Sequence, residues 1–239
     1  MPFKQIRVSP VLTDFSAMHA GDVVFNHAEI ELPYSGTCAV RGITVVNHAN
    51  LNPGDTELEM IFLNDNGTNI GSVNATASVK FAPVAESFLG YYRQTLSGDN
   101  ASSSGDFDEF TISGLNSTKA TFTSQYPLFL TPKSGERNVY FSAITPDTPT
   151  FDGATGVIVN GAVTLGASDT LAVDGQPAGL HFKVGDTVCD SSANVVGVVK
   201  SVSTNSIVLE AVTTHAVAND EELFLANQLL FMFNVEYDI

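Results

Sequence analysis

The sequence has no tryptophan, only two cysteines, and ten lysines and arginines against 26 aspartates and glutamates, a formal charge of −16. Each shortage excludes something. A nucleic-acid partner requires a basic stripe that displaces counterions from phosphates, and this chain has too few cations to build one. The same deficit works against adsorption to an anionic membrane surface; an acidic exterior chiefly gives solubility and long-range repulsion. No window approaches the roughly 18 uninterrupted apolar residues of a membrane-spanning helix. Two thiols, Cys38 and Cys189, make no disulfide framework, and separate unpaired cysteines are the expectation. The opening MPFKQIRVSPVL has no long apolar stretch, so no signal peptide is read and a soluble product of the cytoplasm is expected. Without secretion, the N-x-S/T sequons at Asn66, Asn74, Asn100 and Asn116 are turn chemistry.

Catalytic signatures are missing as well. His19, His27, His48, His181 and His215 are scattered, with no H-x-x-x-H or H-E-x-x-H pair to hold zinc. There is no G-x-S-x-G elbow, P-loop or G-x-G-x-x-G. Neither cysteine has a histidine nearby in sequence, so both read as small buried hydrophobes. Asp106, Asp108 and Glu109 cluster in DFDEF beside a Gly/Ser loop. A glycosidase needs two opposed carboxylates, but a solvated acidic loop, or one that weakly holds Ca²⁺, accounts for this run more simply. The expectation is no enzyme and no cofactor.

What remains is a chain 44% hydrophobic, enough to bury a core. Val, Ile, Thr, Phe and Tyr recur in short runs between Gly, Asn, Asp, Ser and Pro, which is the texture of strands and turns. GDVVFNHAEIELPYSG (21–36), CAVRGITVVNHA (38–49) and TELEMIFLN (56–64) read as strands. In the last, Leu58, Met60 and Phe62 share one face, and Glu57, Glu59 and Ile61 share the other. NLNPGD (50–55) and Asn66-Gly67 are turns. SVKFAPVAESFLGYYRQTL (78–96) reads as a short helical or irregular segment, and SGDNASSSGD (97–106) as a mobile loop. FTISGLNSTKATFTS (110–124) gives short strands around a turn, and PLFLTPKSGERNVYFSAIT (127–145) reads as a hairpin that PDTPTF (146–151) ends.

From Gly153 the texture becomes Gly/Ala/Val-rich with Asp turns. VGDTVCDSSANVVGVVKSVSTNSIVLE (184–210) parses as short strands turning at Gly185-Asp186 and Thr204-Asn205, with Gly197 suited to a bulge. Together with ELFLA (222–226) they favour a small closed or half-closed barrel. The final LLFMFNVEYDI alternates Leu229, Phe231, Phe233, Val235 and Tyr237, too apolar for an edge strand. Its place is the centre of a larger sheet, which makes residues 153–227 an insertion into a discontinuous domain of residues 1–152 and 228–239.

DFSAMHAGDVVFNHAEI (14–30), GITVVN (42–47) and DTELEMIFLNDNGTNIGSVN (55–74), in that order, resemble a group of tailed-bacteriophage virion proteins. There a D-x-S-x-Y-x-x-G-D-V lead precedes a strand such as SIVV and then an LxxYFLD-type strand. PLFLTPKSGERNVYFSAITPDTPTF (127–151) looks like that family's penultimate hairpin with its T-P-T-[YF] turn, and LLFMFNVEYDI like its terminal strand. Two departures stand out: His19 lies near the family's usual Tyr, and the TPTF turn reaches the last strand only after the insertion.

The resemblance implies a structural part of the particle. The fold class expected is all-β, a jelly-roll-like antiparallel β-sandwich with a small inserted β-barrel-like module before the last strand. The function expected is a capsid decoration, or cement, protein on the outer capsid surface, bound to the major capsid protein and self-associating, with trimers at local threefold positions. The alternative is a tail, baseplate or adhesion protein whose inserted module binds a receptor or glycan. For docking, Lys4 and Arg7 stand out, two of the ten basic residues lying ahead of the first clear strand. An arm reaching an acidic neighbour has this look, and so does a frayed terminus.

Overall fold

Valine, isoleucine and phenylalanine at alternate positions put most of this chain into strands whose two faces differ in polarity. The computed structural model describes residues 2–47, 58–67, 70–77, 87–94, 102–103, 108–112, 128–146, 148 and 154–237. The strands before the insertion are β1 (Phe3–Val8), β2 (Val23–Glu31), β3 (Cys38–Asn47), β4 (Leu58–Leu63), β5 (Phe88–Gln94), β6 (Ser102–Ser103), β7 (Asp108–Ile112), β8 (Leu128–Leu130) and β9 (Asn138–Ile144). The insertion supplies β10 (Ala154–Val159), β11 (Thr170–Gly175), β12 (Thr187–Cys189), β13 (Val195–Val202), β14 (Ser206–Leu209) and β15 (Glu222–Leu225), and β16 (Leu229–Tyr237) closes the chain.

Two sheets face each other. One runs β1-β16-β3-β7-β6, with β8 also on β3; the other runs β2-β9-β4-β5. The pairs β4–β5, β3–β8, β2–β9 and β1–β16 nest inside one another along the chain, so the polypeptide behaves as one long hairpin rolled into two sheets. That is a jelly roll. The insertion occupies the last of its connections, between β9 and β16, and forms a closed barrel in the order β10-β11-β14-β13-β12-β15. Ala154 at the barrel's entry pairs with Phe224 near its exit, so the module joins its host through neighbouring strand ends.

β16 shows why the insertion is tolerated. Its Leu229, Phe231, Phe233 and Val235 are all fully buried, and its backbone pairs with β1 on one side and β3 on the other. The sandwich core is a phenylalanine cluster: Phe25, Phe62 and Phe141 from one sheet meet Phe231 and Phe233 from the other. The barrel has its own core of Val157, Val159, Leu171, Val173, Val188, Ile207, Leu209 and Leu223. Between the two, Phe15 stacks on Phe224 at 5.2 Å, and the Leu12 N–H donates to the Ala226 carbonyl at 2.9 Å.

Several expectations need correcting. Residues 127–145 do not form a hairpin: β8 pairs with β3 in one sheet and β9 with β2 and β4 in the other. The turn at 131–137 is a corner between sheets, and Leu128, Leu130, Val139 and Phe141 meet across the core. Within 78–96, residues 88–94 are strand β5, antiparallel to β4; the helix-compatible Ala and Glu precede it, and pairing with β4 decides its conformation. Ser102–Ser103, read as loop, pair with β7. The outer face of β4 is not simply solvent. Ile61 and Leu63 pack with Val23, Ile70 and Ile144 in a second small core. Residues 73–77 also lie along β2, where the Val23 N–H donates to the Ala75 carbonyl at 3.0 Å and the Ala77 N–H to the Gly21 carbonyl at 2.8 Å. The turn expected at 50–55, and 113–124 of the strand–turn read at 110–124, lie outside the described residues.

Gly175 ends β11 with φ +75°, a conformation that L side chains rarely adopt, and a Cβ there would run into the Gly156 carbonyl oxygen. Gly175→Ala is expected to cost about 2–3 kcal/mol in the barrel alone. The six tyrosines, at 34, 91, 92, 126, 140 and 237, all lie outside the barrel. Tyrosine fluorescence therefore follows the sandwich, and circular dichroism follows both parts. The variant should lower the midpoint of the second signal and leave the first in place.

Candidate functional site

Three places in the fold gather polar chemistry or exposed apolar surface. The first is β1. The N-terminal residues are neither a free arm nor a frayed end: Phe3–Val8 pairs with β16 in continuous antiparallel register, from Phe3 opposite Glu236 to Val8 opposite Phe231. Only Ile6 is buried, and one buried position with Val8 half-buried beside it gives little alternation to read. Lys4 and Arg7 are both exposed, but three positions apart on a strand they project to opposite faces of the sheet and cannot make one patch. Arg7 Nε donates to Gln5 Oε1 at 3.1 Å, and neither cation has an acidic partner among the described residues.

The second place is a turn in the barrel. Asp190, 6% exposed, accepts N–H groups from Ser192 and Asn194 through Oδ1, each at 2.9 Å. Its Oδ2 accepts the Asn194 side-chain amide at 2.9 Å and lies 3.1 Å from His215 Nε2. This carboxylate closes the 190–194 turn, where Ala193 holds φ +61°, and ties it to the segment after β14. The 25-residue separation of Asp190 and His215 carries no sequence signal for the pair. With its lone pairs engaged, Asp190 is built to hold a turn. Removing it in Asp190→Ala leaves three part-buried N–H donors unmatched and should cost about 1–3 kcal/mol, read as a lower barrel midpoint with the tyrosine transition unchanged.

Cys189, next to Asp190, is fully buried, and burial followed by the Asp190 charge pushes its thiol up to about 12. Burial likewise raises Cys38, inside the sandwich, to about 11. Both cysteines are free. A thiol with a raised pKa is almost wholly unionised at neutral pH, so neither is an activated nucleophile. Native protein at pH 8 should leave both unreactive toward a disulfide reagent, and denaturant should release two equivalents. The linkage has a definite sign. Folded pKa values above the unfolded value of 9.0 give a contribution fully present below pH 9 and lost as pH rises through about 11 and about 12.

The DFDEF run is not a loop where it is described. Asp108 and Glu109 belong to β7, opposite Asn47 and Val46 of β3; Asp106 lies outside the described residues, as does His48. Among the described residues, no three His, Cys, Asp or Glu side chains come together as a metal-binding group. His19 sits 3.6 Å from Asp22, and His27 occupies a bulge in β2 at φ +52° with its N–H on Ser142 Oγ at 3.1 Å.

The third place is the barrel's exterior. Leu165, Leu180, Val184, Val195 and Val212 are five of the nine exposed large hydrophobic residues described in the chain. They lie in turns, at a strand end and, for Leu180, in the short helix Ala178–His181, where a contact surface can vary without disturbing the barrel core. No protein-family model, no curated protein and no solved structure matches this chain.

Proposed function

We propose that this chain is a capsid decoration protein of a tailed bacteriophage, which binds the lattice of the major capsid protein and stabilises the head. The observation that supports this reading is where the resembling segments fall. Residues 14–30, 42–47, 55–74, 127–151 and the last strand contribute β2, β3, β4, β8, β9 and β16, all of them strands of the jelly roll. The resemblance thus coincides with one folding unit. In this reading residues 1–152 and 228–239 are the docking scaffold, residues 153–227 project from it, and the protein self-associates, as trimers at local threefold positions. Multivalent attachment on a lattice turns modest single contacts into durable binding. Quantitative densitometry of purified particles tests it: hundreds of copies per particle, and binding of the protein to expanded shells, are expected. A handful of copies would overturn it.

The exposed apolar residues of the barrel favour one second reading, a tail or adhesion protein whose module grips a receptor or glycan. A glycan array probed with the intact chain, and with a chain in which residues 154–226 are replaced by a short linker, separates the two. Sugar binding that disappears with the barrel supports the adhesin.

A further inference from the structure

The free edge of β1 has a chemistry of its own. The Tyr237 N–H donates to the Pro2 carbonyl, which fixes the phase of the β1–β16 ladder. Alternate residues of an antiparallel strand direct both backbone groups to the same neighbour. Lys4, Ile6 and Val8 therefore turn their N–H and C=O toward β16, and Phe3, Gln5 and Arg7 turn theirs away. Those three are exposed, and nothing among the described residues bonds to their outward groups. The edge of β2 in the opposite sheet is covered at its start, where residues 73–77 bond to Gly21 and Val23. β1 is left open, with Phe3 67% exposed at its start.

An open edge invites another strand, and the side chains decide which. β1 reads FKQIRV, two cations and no acid, in a chain of net charge −16. Pairing with a second copy in the register that uses every outward group sets Gln5 opposite Gln5. It brings the two Lys4 side chains to diagonal positions on one face and leaves four cations without counter-charge. A strand carrying two carboxylates three positions apart answers both cations at once, because it too alternates faces. It would do so in either direction.

We propose that β1 is a docking edge for an extended, acidic segment of another protein, taken up by strand addition, with Lys4 and Arg7 selecting carboxylates three residues apart. The edge would accept such a strand whatever particle the protein serves, so a low copy number on virions leaves this proposal standing.

The test uses the full chain and a fluorescent Thr/Val peptide bearing two glutamates three positions apart. Its controls are the same peptide with lysines in place of the glutamates, and a proline-interrupted peptide with the same acids. The acidic peptide should raise anisotropy on binding and protect the amides of Phe3, Gln5 and Arg7 from exchange in NMR. Lys4→Glu with Arg7→Glu should weaken it about tenfold and admit the lysine peptide instead. Gln5→Pro removes an outward N–H and none of the bonds to β16, and should abolish binding while tyrosine fluorescence stays native. Equal binding of the proline-interrupted peptide, or no protection at those three amides, overturns strand addition. A concentration-dependent dimer that protects the same amides without peptide overturns the acidic partner in favour of self-pairing.

Discussion

Deletion of residues 229–239 should unfold the sandwich and leave the barrel folded. β16 contributes Leu229, Phe231, Phe233 and Val235 to the core, each fully buried. At about 1.5–3 kcal/mol per buried side chain their loss removes about 6–12 kcal/mol, comparable with the whole stability of a domain. It also strands the facing edges of β1 and β3, which β16 joins. The barrel keeps all six of its strands, its closure between β10 and β15, and a core that includes no residue of β16. Limited proteolysis followed by mass spectrometry reads the outcome: the jelly roll should be digested and a fragment close to residues 154–226 should survive. Digestion of both parts at the same rate would show that the barrel depends on its host.

The second large effect is at Phe141. Its ring lies 4.9 Å from Phe231, 5.2 Å from Phe233, 5.3 Å from Phe25 and 5.8 Å from Phe62, so it is the point where the two sheets interlock. Three of these contacts are edge-to-face and one is stacked, geometries that add to simple burial. Phe141→Ala opens a cavity that four rigid rings cannot collapse into, and should cost about 3–5 kcal/mol. Tyrosine fluorescence in urea gives the measurement directly, since no tyrosine lies in the barrel. Phe141→Leu, which retains most of the volume, should recover more than half of the loss.

The first of these expectations rests on a part of the fold that the residues announce unaided. The alternation in LLFMFNVEY demands burial on one face and a neighbour on each side, and no strand of the small module could supply both. The turns at Gly185 and Thr204-Asn205 and the bulge beside Gly197 were equally legible, because local turn chemistry sets short hairpins, whereas full closure of the barrel comes from the distant pairing of β15 with β10 and β12. The arch at 131–137 was not. A hairpin and a corner between sheets require the same two alternating strands, and only the partners offered by β2, β3 and β4 distinguish them. The Asp190–His215 contact was invisible for another reason: it joins two turns, where no periodicity operates. Lys4 and Arg7 were visible as charges, but their opposite facing follows only once the segment is known to be a strand.

The nesting of the strand pairs carries a consequence in time. β1 leaves the ribosome more than two hundred residues before its partner β16. At roughly 5–20 residues per second, translation keeps them apart for about 10–45 s. During that interval the barrel, whose strands are contiguous in sequence, can be complete while its host is not. β1 then has two bare edges, and other nascent chains on the same message offer theirs nearby. A strand reading Lys-x-x-Arg repels its own kind through that delay. The charges that choose a partner for the finished protein also keep the unfinished one from choosing too early.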